Sequence, residues 1–424
     1  MTPRRPALTV AIAGFGTVGR SVARLICERH HSRVRLEAVL TRRPAAAKRE
    51  APWAPPHVTW TDDAAILLTR RTDVVVELIG GIEPARTWIA SALRAGQAVV
   101  TANKQVIAEH GRELIALARA RGGALGFEAA VAGAVPVIRG LQEGLAGDRV
   151  IGLAGVMNGT CSFVLGRMAE AGTSLEEAVA EAQARGLAEA DPADDLDGLD
   201  ARAKLAILAS IGFGRHVSPR SIRAASIRGL DAGDIAAAAS AGRVIRQVAR
   251  ARRPGPEARS IAAGVSAALV PRDSWLGRGR GAENVVLVHG ERSGTTVFAG
   301  QGAGGEATAV AVVSDVLAVA LRRAVPRAWP SGPAACVRRE GASLRYVRVS
   351  NLAAAGGPDP ARLLEASGIG LERMLTGPNR QGGRWAAIVG PCGEAALDRA
   401  LRPLARAGSA DRPVVRLPLF DPEI

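Results

Sequence analysis

The chain has 424 residues, 48% of them hydrophobic and 22% charged, which is material for about three domains and too apolar for wholesale disorder. A formal net charge of +15 would suit a nucleic-acid binder if the cations were clustered, but they are dispersed, and 3% aromatics leaves few rings for bases to stack on. Four cysteines without CxxC spacing exclude a disulfide scaffold and a Cys-rich zinc site, and no apolar run reaches the ~18 residues of a membrane span.

Arg4 and Arg5 ahead of the apolar stretch from Ala7 to Ala13 resemble the start of a signal peptide. The stretch runs straight into glycine-rich GFGTVG, so the first strand of a cytoplasmic protein accounts for it better. Strands are expected at Leu8–Ala13, Val34–Leu40, Val74–Ile79, Ala98–Thr101 and Ala124–Phe127, with helices such as Thr17–Glu28 and Gln105–Arg121 between them. That alternation predicts a doubly wound parallel sheet over residues 1–130. Residues 131–320 carry long Ala-rich helical patterns (Leu175–Arg185, Asp200–Ile211, Asp234–Ala251) between apolar strands, an α+β domain. Residues 321–342, rich in Pro and Arg, read as a linker. Residues 343–424 then read strand (Leu344–Val349), helix (Pro360–Ala366), strand (Ile369–Leu375), strand (Trp385–Val389), helix (Glu394–Ala407), strand (Val414–Leu417). This βαββαβ order is ferredoxin-like.

The hexapeptide Gly14-Phe15-Gly16-Thr17-Val18-Gly19 follows a strand and opens a helix. The first glycine permits a tight turn, the second lets backbone approach a pyrophosphate, and the third lets helix pack on strand, so a dinucleotide site is expected. The second strand ends without an acid to pair with a ribose 2′-hydroxyl and offers Arg42 and Arg43 for a 2′-phosphate, which favours NADP over NAD. Lysine occurs only at 48, 104 and 204 in this Arg-rich chain. Arg cannot serve as a general base, whereas a desolvated Lys can, so the surviving lysines are informative. Lys104 ends the run Thr101-Ala102-Asn103-Lys104 at the carboxyl end of a strand, where ligands of parallel sheets sit. Lys204 closes the segment GLAEADPADDLDGLDARAK, which holds Glu189, Asp191, Asp194, Asp195, Asp197 and Asp200. Thr173 or Ser174 with Glu176 or Glu177 caps the helix before this segment, and Gly186 ends it. Asp200 and Lys204 lie four apart on the next helix. Carboxylates suit a cationic amine, and a neighbouring Lys can handle a proton; a solvated acidic loop with one ion pair is the plainer alternative. Asn158-Gly159-Thr160-Cys161 reads as a turn or a polar loop meeting substrate, and Gly300–Gly305 as a flexible turn or a second backbone approach to cofactor.

In this order, GFGTVG, Glu77–Gly81 (ELIGG), TANK, the NGT turn, the long acidic segment and GQGAG resemble homoserine dehydrogenase over roughly residues 7–320. The resemblance implies NAD(P)-dependent interconversion of L-homoserine and L-aspartate 4-semialdehyde in threonine and methionine biosynthesis. It implies a Rossmann domain, a substrate domain with a dimerising sheet, and a C-terminal ACT domain at 343–424, in a homodimer or larger homo-oligomer. Carried over by motif, Glu189, Asp195 and Asp200 would hold the amino-acid substrate, with Lys204 as proton donor and acceptor and Lys104 at the nicotinamide. Phe15, Thr17, Val18, Gly186 and Gly302 would line the cofactor. Glu128, Val131, Gly133 and Val135 would bind a monovalent cation such as sodium. Alternatives are a dehydrogenase of another amino-acid semialdehyde and an acylating enzyme with Cys161 as nucleophile. The stretch 351–360 lacks the acid-Arg-Pro-Gly order usual in the ligand turn of an ACT domain, so a degenerate regulatory site is expected.

Overall fold

Six parallel strands carry the first part of the chain: β1 (Leu8–Ala13), β2 (Val34–Leu40), β3 (Thr59–Thr61), β4 (Val74–Glu77), β5 (Ala98–Thr101) and β6 (Leu125–Gly126). In this computed structural model, which describes residues 7–65, 72–255, 258, 260–279, 281–321, 329–330, 332, 334–338, 341–350, 359–376, 383–407 and 414–421, they order as β3-β2-β1-β4-β5-β6. The paired neighbours are parallel throughout. Strands covered on both faces read as continuous apolar runs, as VVVE and AVVT do here. The chain winds outward from β1 to β3, then crosses back to β4. The resulting switch point lies beyond the carboxyl ends of β1 and β4, where open α/β sheets bind ligands.

Among the expected boundaries that shift are these two. The strand expected to reach Ile79 stops at Glu77, because the Ile79 N–H turns back onto the Glu77 side chain at 2.8 Å. The helix expected to run to Glu28 is α-helical over Thr17–Leu25 and continues as a π turn over Ile26–His30.

The chain divides into two compact units. One comprises Met1–Ile151, Ala203–Ser221 and His289–Cys336. The helix Gly305–Ala320 belongs to it and sets Ala309, Val312 and Val316 in one core with Val10, Ile12, Val22 and Val76. The other comprises Gly152–Arg202, Ile222–Val288 and Val337–Ile424. Its main sheet pairs Val150–Val156 with Arg243–Arg252, and that strand with Ser260–Pro271, all antiparallel. The expected helix Asp234–Ala251 is a correction: a helix covers Ala232–Ser240, Gly242 turns in the left-handed region (φ +72), and a strand follows. A reciprocal Asp231–Asp234 capping box starts that helix, and the β-branched Val244, Ile245 and Val248 suit the strand.

The last segment folds as read. Strands Ser343–Val349, Leu371–Thr376, Trp385–Cys392 and Val414–Pro418 form an antiparallel sheet with the second at one edge and the fourth at the other, and helices Pro360–Glu365 and Glu394–Ala407 connect them. This is the ferredoxin-like arrangement. One face of the sheet (Val347, Trp385, Ala387, Val389) packs on Leu364, Leu397 and Leu401 of its own helices. The opposite face (Tyr346, Ala386, Ile388, Leu417) shares a core with Val164, Met168, Ala178 and Ala237 of the same unit. Much of the expected linker (322–328, 331, 333, 339 and 340) and positions 351–358 of the regulatory stretch lie outside the described residues.

Candidate active site

The glycine turn after β1 has the backbone that the hexapeptide requires. Gly14 sits at φ +106, and a Cβ there would fall 2.7 Å from the Leu78 carbonyl oxygen. A Cβ on Gly19 would fall 2.0 Å from the Gly14 carbonyl oxygen, so the helix can approach the strand only without a side chain. Gly16 is different: a Cβ there would meet nothing within 4 Å, and no side chain caps the helix Thr17–Leu25 that it precedes. The first-turn N–H groups and the positive end of the helix dipole thus face an open turn, which fits a pyrophosphate. Arg42 and Arg43 are both exposed just past the carboxyl end of β2. Phe15 packs edge-on to Trp60 of β3, with ring centroids 4.9 Å apart. The glycine turn Gly302–Gly305 comes to the same place, since a Cβ on Gly305 would lie 2.8 Å from Thr17 Cγ2.

The ELIGG and TANK runs are tied together by side chains. Glu77, 1% exposed, accepts from Thr101 Oγ1 at 2.6 Å, and burial raises its carboxyl pKa above the usual range. Asn103 caps the helix Lys104–Ala120 by accepting the Val106 N–H, and its Nδ2 donates to the Gly81 carbonyl at 2.6 Å. Lys104, half-buried, is the first residue of that helix at the end of β5.

Glu128 opens a 3-10 turn and is 2% exposed. Its Oε1 and Oε2 accept the main-chain N–H groups of Ile138 and Arg139 at 2.8 and 3.0 Å. Burial, with Asp315 nearby, pushes its carboxyl up to about 7. Asp315, fully buried, accepts the Glu128 N–H at 2.9 Å and pairs with Arg139 at 2.5 Å. Between Val131 and Val135 the chain passes two successive left-handed residues, Ala132 (φ +58) and Gly133 (φ +59). A Cβ on Gly133 would lie 2.7 Å from the Gly302 carbonyl. The carboxylate thus accepts two main-chain N–H groups and also faces the Arg139 guanidinium, Nε 3.7 Å from Oε2. No group of three or more His, Cys, Asp or Glu suited to a metal occurs among the described residues.

The acidic segment organises around Asn158. Helix Leu175–Ala184 starts at the Ser174–Glu177 capping box and ends before Gly186 (φ +69). Asp195 lies on a short helix, Ala193–Leu196, and the buried Asp200 opens the helix Leu199–Phe213. Asn158 Nδ2 donates to both acids. Lys204 stands one turn beyond Asp200 on that helix, half-buried. Glu189 is exposed on the loop, its carbonyl accepting from Gln183 Nε2 at 3.1 Å, and lies outside the Asn158 set. Thr160 of the NGT turn donates to the Leu187 carbonyl at 2.9 Å. Cys161 is fully buried and its Sγ donates to the Asp195 carbonyl at 3.2 Å, a geometry that holds the loop and does not present a nucleophile.

Sequence reasoning left Trp60, Thr101, Asn103, Arg139 and Asp315 without roles. For Asp315 a signal existed: it is an acid inside the apolar run AVAVVSDVLAVA, and a lone acid there needs a buried partner.

Comparison with known proteins matches residues 14–128 to the model described as the NAD-binding domain of homoserine dehydrogenase, and residues 136–317 to that described as homoserine dehydrogenase. The homoserine dehydrogenase of Corynebacterium glutamicum is 41% identical over 322 residues, 74% of this chain and 72% of the relative. That of Synechocystis is 38% identical over 312 residues, 73% of this chain and 72% of the relative. Among solved structures, a homoserine dehydrogenase from Thiobacillus denitrificans aligns with a TM-score of 0.87 at 30% identity, covering 98% of this chain and 99% of that one. A hyperthermophilic archaeal homoserine dehydrogenase in complex with NADPH aligns with a TM-score of 0.65 at 26% identity, covering 76% of this chain and all of that one. A dinucleotide-binding sheet with this companion domain defines an NAD(P)-dependent oxidoreductase acting on a CH–OH group. Within that class, the chain belongs to the homoserine dehydrogenase family.

Proposed function

We propose that this enzyme oxidises the C4 hydroxyl of L-homoserine to L-aspartate 4-semialdehyde, and runs the reverse, with the residue roles that follow. The observation that carries the reading is the helix Leu199–Phe213, which presents Asp200 and Lys204 one turn apart directly after the acidic loop. Asp195 and Asp200, with Glu189 from the loop, bind the substrate's ammonium group. Lys204 takes the hydroxyl proton during oxidation and returns it during reduction. Oxidation releases a proton to solvent overall, so alkaline pH favours it. Lys104 steadies the reacting end of the substrate at the carboxyl end of β5. Bound nicotinamide supplies the hydride acceptor or donor, and holding it against the substrate accounts for much of the rate. The first-turn N–H groups after Gly16 hold the pyrophosphate, Phe15, Thr17, Val18, Gly186 and Gly302 line the nucleotide, and Arg42 and Arg43 take the 2′-phosphate of NADP.

Glu128 and the carbonyl oxygens of Val131, Gly133 and Val135 hold a monovalent cation such as sodium. Residues 1–130, 131–320 and 343–424 act as nucleotide, substrate and ACT-like domains joined by 321–342. The enzyme works as a homodimer or larger homo-oligomer in the cytoplasm, where scattered cysteines without CxxC spacing are at home; no helix among the described residues is long and apolar enough to cross a membrane. Homoserine-dependent reduction of NADP and NAD by the purified protein tests the activity. Absence of turnover with either would refute it, and light scattering of the same sample tests the assembly.

A further inference from the structure

The Asn158 amide is committed on both sides. Its Nδ2 donates to Asp195 Oδ1 at 2.6 Å and to Asp200 Oδ2 at 2.9 Å, and its Oδ1 accepts the Cys161 N–H at 2.8 Å. The residue is 4% exposed, so water does not compete for these bonds. The pattern also fixes the amide's orientation, since a flipped amide would set oxygen against two carboxylates and NH2 against an N–H.

The helix Gly159–Ala171 that Asn158 caps does not by itself call for asparagine, because serine or aspartate caps about as well. Only a carboxamide can cap and also donate twice. Its two donors go to acids on separate elements, the short helix Ala193–Leu196 and the first turn of Leu199–Phe213. Two carboxylates this close repel each other, and a shared donor offsets that repulsion. Asp195 is held from behind as well, its carbonyl accepting from Cys161 Sγ at 3.2 Å and Gln247 Nε2 at 2.9 Å.

We propose that Asn158 is a positioning residue, which holds Asp195 and Asp200 together as one paired acceptor for the ammonium group of the amino-acid substrate. The inference rests on the substrate role assigned to those two acids above.

The test uses the full-length enzyme with Asn158→Ser, Asn158→Asp, Asp195→Asn and Asp200→Asn. Asn158→Ser keeps the cap and loses the bridge: the KM for homoserine rises about tenfold or more, while the KM for the nucleotide and the thermal midpoint stay near wild type. Asn158→Asp keeps the cap and adds a third carboxylate. Its activity at neutral pH falls further, and the deficit relative to wild type shrinks as the pH is lowered, because protonating the cluster restores a donor. Wild-type homoserine KM in both Asn158 variants overturns the proposal and leaves a plain helix cap. A parallel rise in nucleotide KM with a lowered midpoint in both overturns it in favour of a structural role. If Asp195→Asn and Asp200→Asn keep the homoserine KM, the substrate reading itself fails and takes the proposal with it.

Discussion

Adding one methyl group at Gly233 should loosen the C-terminal module from the helix it rests on. The Arg384 guanidinium lies against the first turn of Ala232–Ser240, its NH1 donating to both Asp231 oxygens at 2.9 and 2.8 Å and its NH2 to Asp234 Oδ1 at 3.0 Å. A Cβ on Gly233 would sit 2.6 Å from Arg384 Cζ, so in Gly233→Ala the guanidinium must swing away from its acids. Charge-assisted bonds of this kind contribute about 1.5–3 kcal/mol when buried. The Arg384 side chain is 26% exposed, and Arg348 still donates to Asp231 at 2.8 Å, so the loss is smaller. Alanine in a helical position recovers about 0.4–1 kcal/mol through the unfolded chain. The net expectation is a destabilisation of about 1–2 kcal/mol, smaller than that of Arg384→Ala by the alanine gain. In the Arg384→Ala background the sign should reverse: with no guanidinium to displace, Gly233→Ala gains stability. Urea unfolding of the two single variants and the double variant measures this cycle. Equal destabilisation by Gly233→Ala in both backgrounds would show that the guanidinium does not occupy that space.

Lys204→Arg should preserve fold and nucleotide affinity but lower turnover about 10²- to 10⁴-fold, since Arg keeps the charge and cannot release a proton; near-normal kcat in that variant removes Lys204 from proton transfer. Replacing Arg42 and Arg43 together by Ala should raise the KM for NADP and leave that for NAD nearly unchanged, and a wild type more efficient with NAD would reduce the pair to surface charge. Threonine at millimolar concentration should inhibit weakly or not at all in either direction, because the stretch 351–360 offers an amino acid few side-chain partners. Steep, cooperative inhibition in the same titration would contradict a degenerate site.

The nucleotide half was legible because its constraints are local. Gly19 is demanded by its contact with Gly14 five residues before it, and a period of strand and helix announces the sheet. The βαββαβ order of the last segment was legible for the same reason. The helix expected to run on to Ala251 failed because alanine satisfies both a helix and a buried strand, and the signals of the change, Gly242 and the β-branched Val244, Ile245 and Val248, are few. In the candidate site, sequence spacing singled out the acids and Lys204, but it could not pair Asp195 with Asp200. That pairing is made by Asn158, 37 and 42 positions away in the chain. Glu128 shows the reverse limit: the motif singled it out, but its bonds to the Ile138 and Arg139 N–H groups, ten and eleven positions on, are visible only in the fold.

The core that Tyr346, Ala386, Ile388 and Leu417 share with the helices around Val164 and Ala237 has a consequence for synthesis. A ribosome releases those helices well over a hundred residues before the strand that finishes covering them, an interval on the order of ten seconds at ordinary elongation rates. Through that time an apolar surface is exposed to other nascent chains and to chaperones. A chain ended early, by a premature stop or by a truncation that removes residues 343–424, would keep that surface permanently bare. In this chain the C-terminal module is thereby part of the second unit's own core, and Leu417 of the last strand to be made completes it.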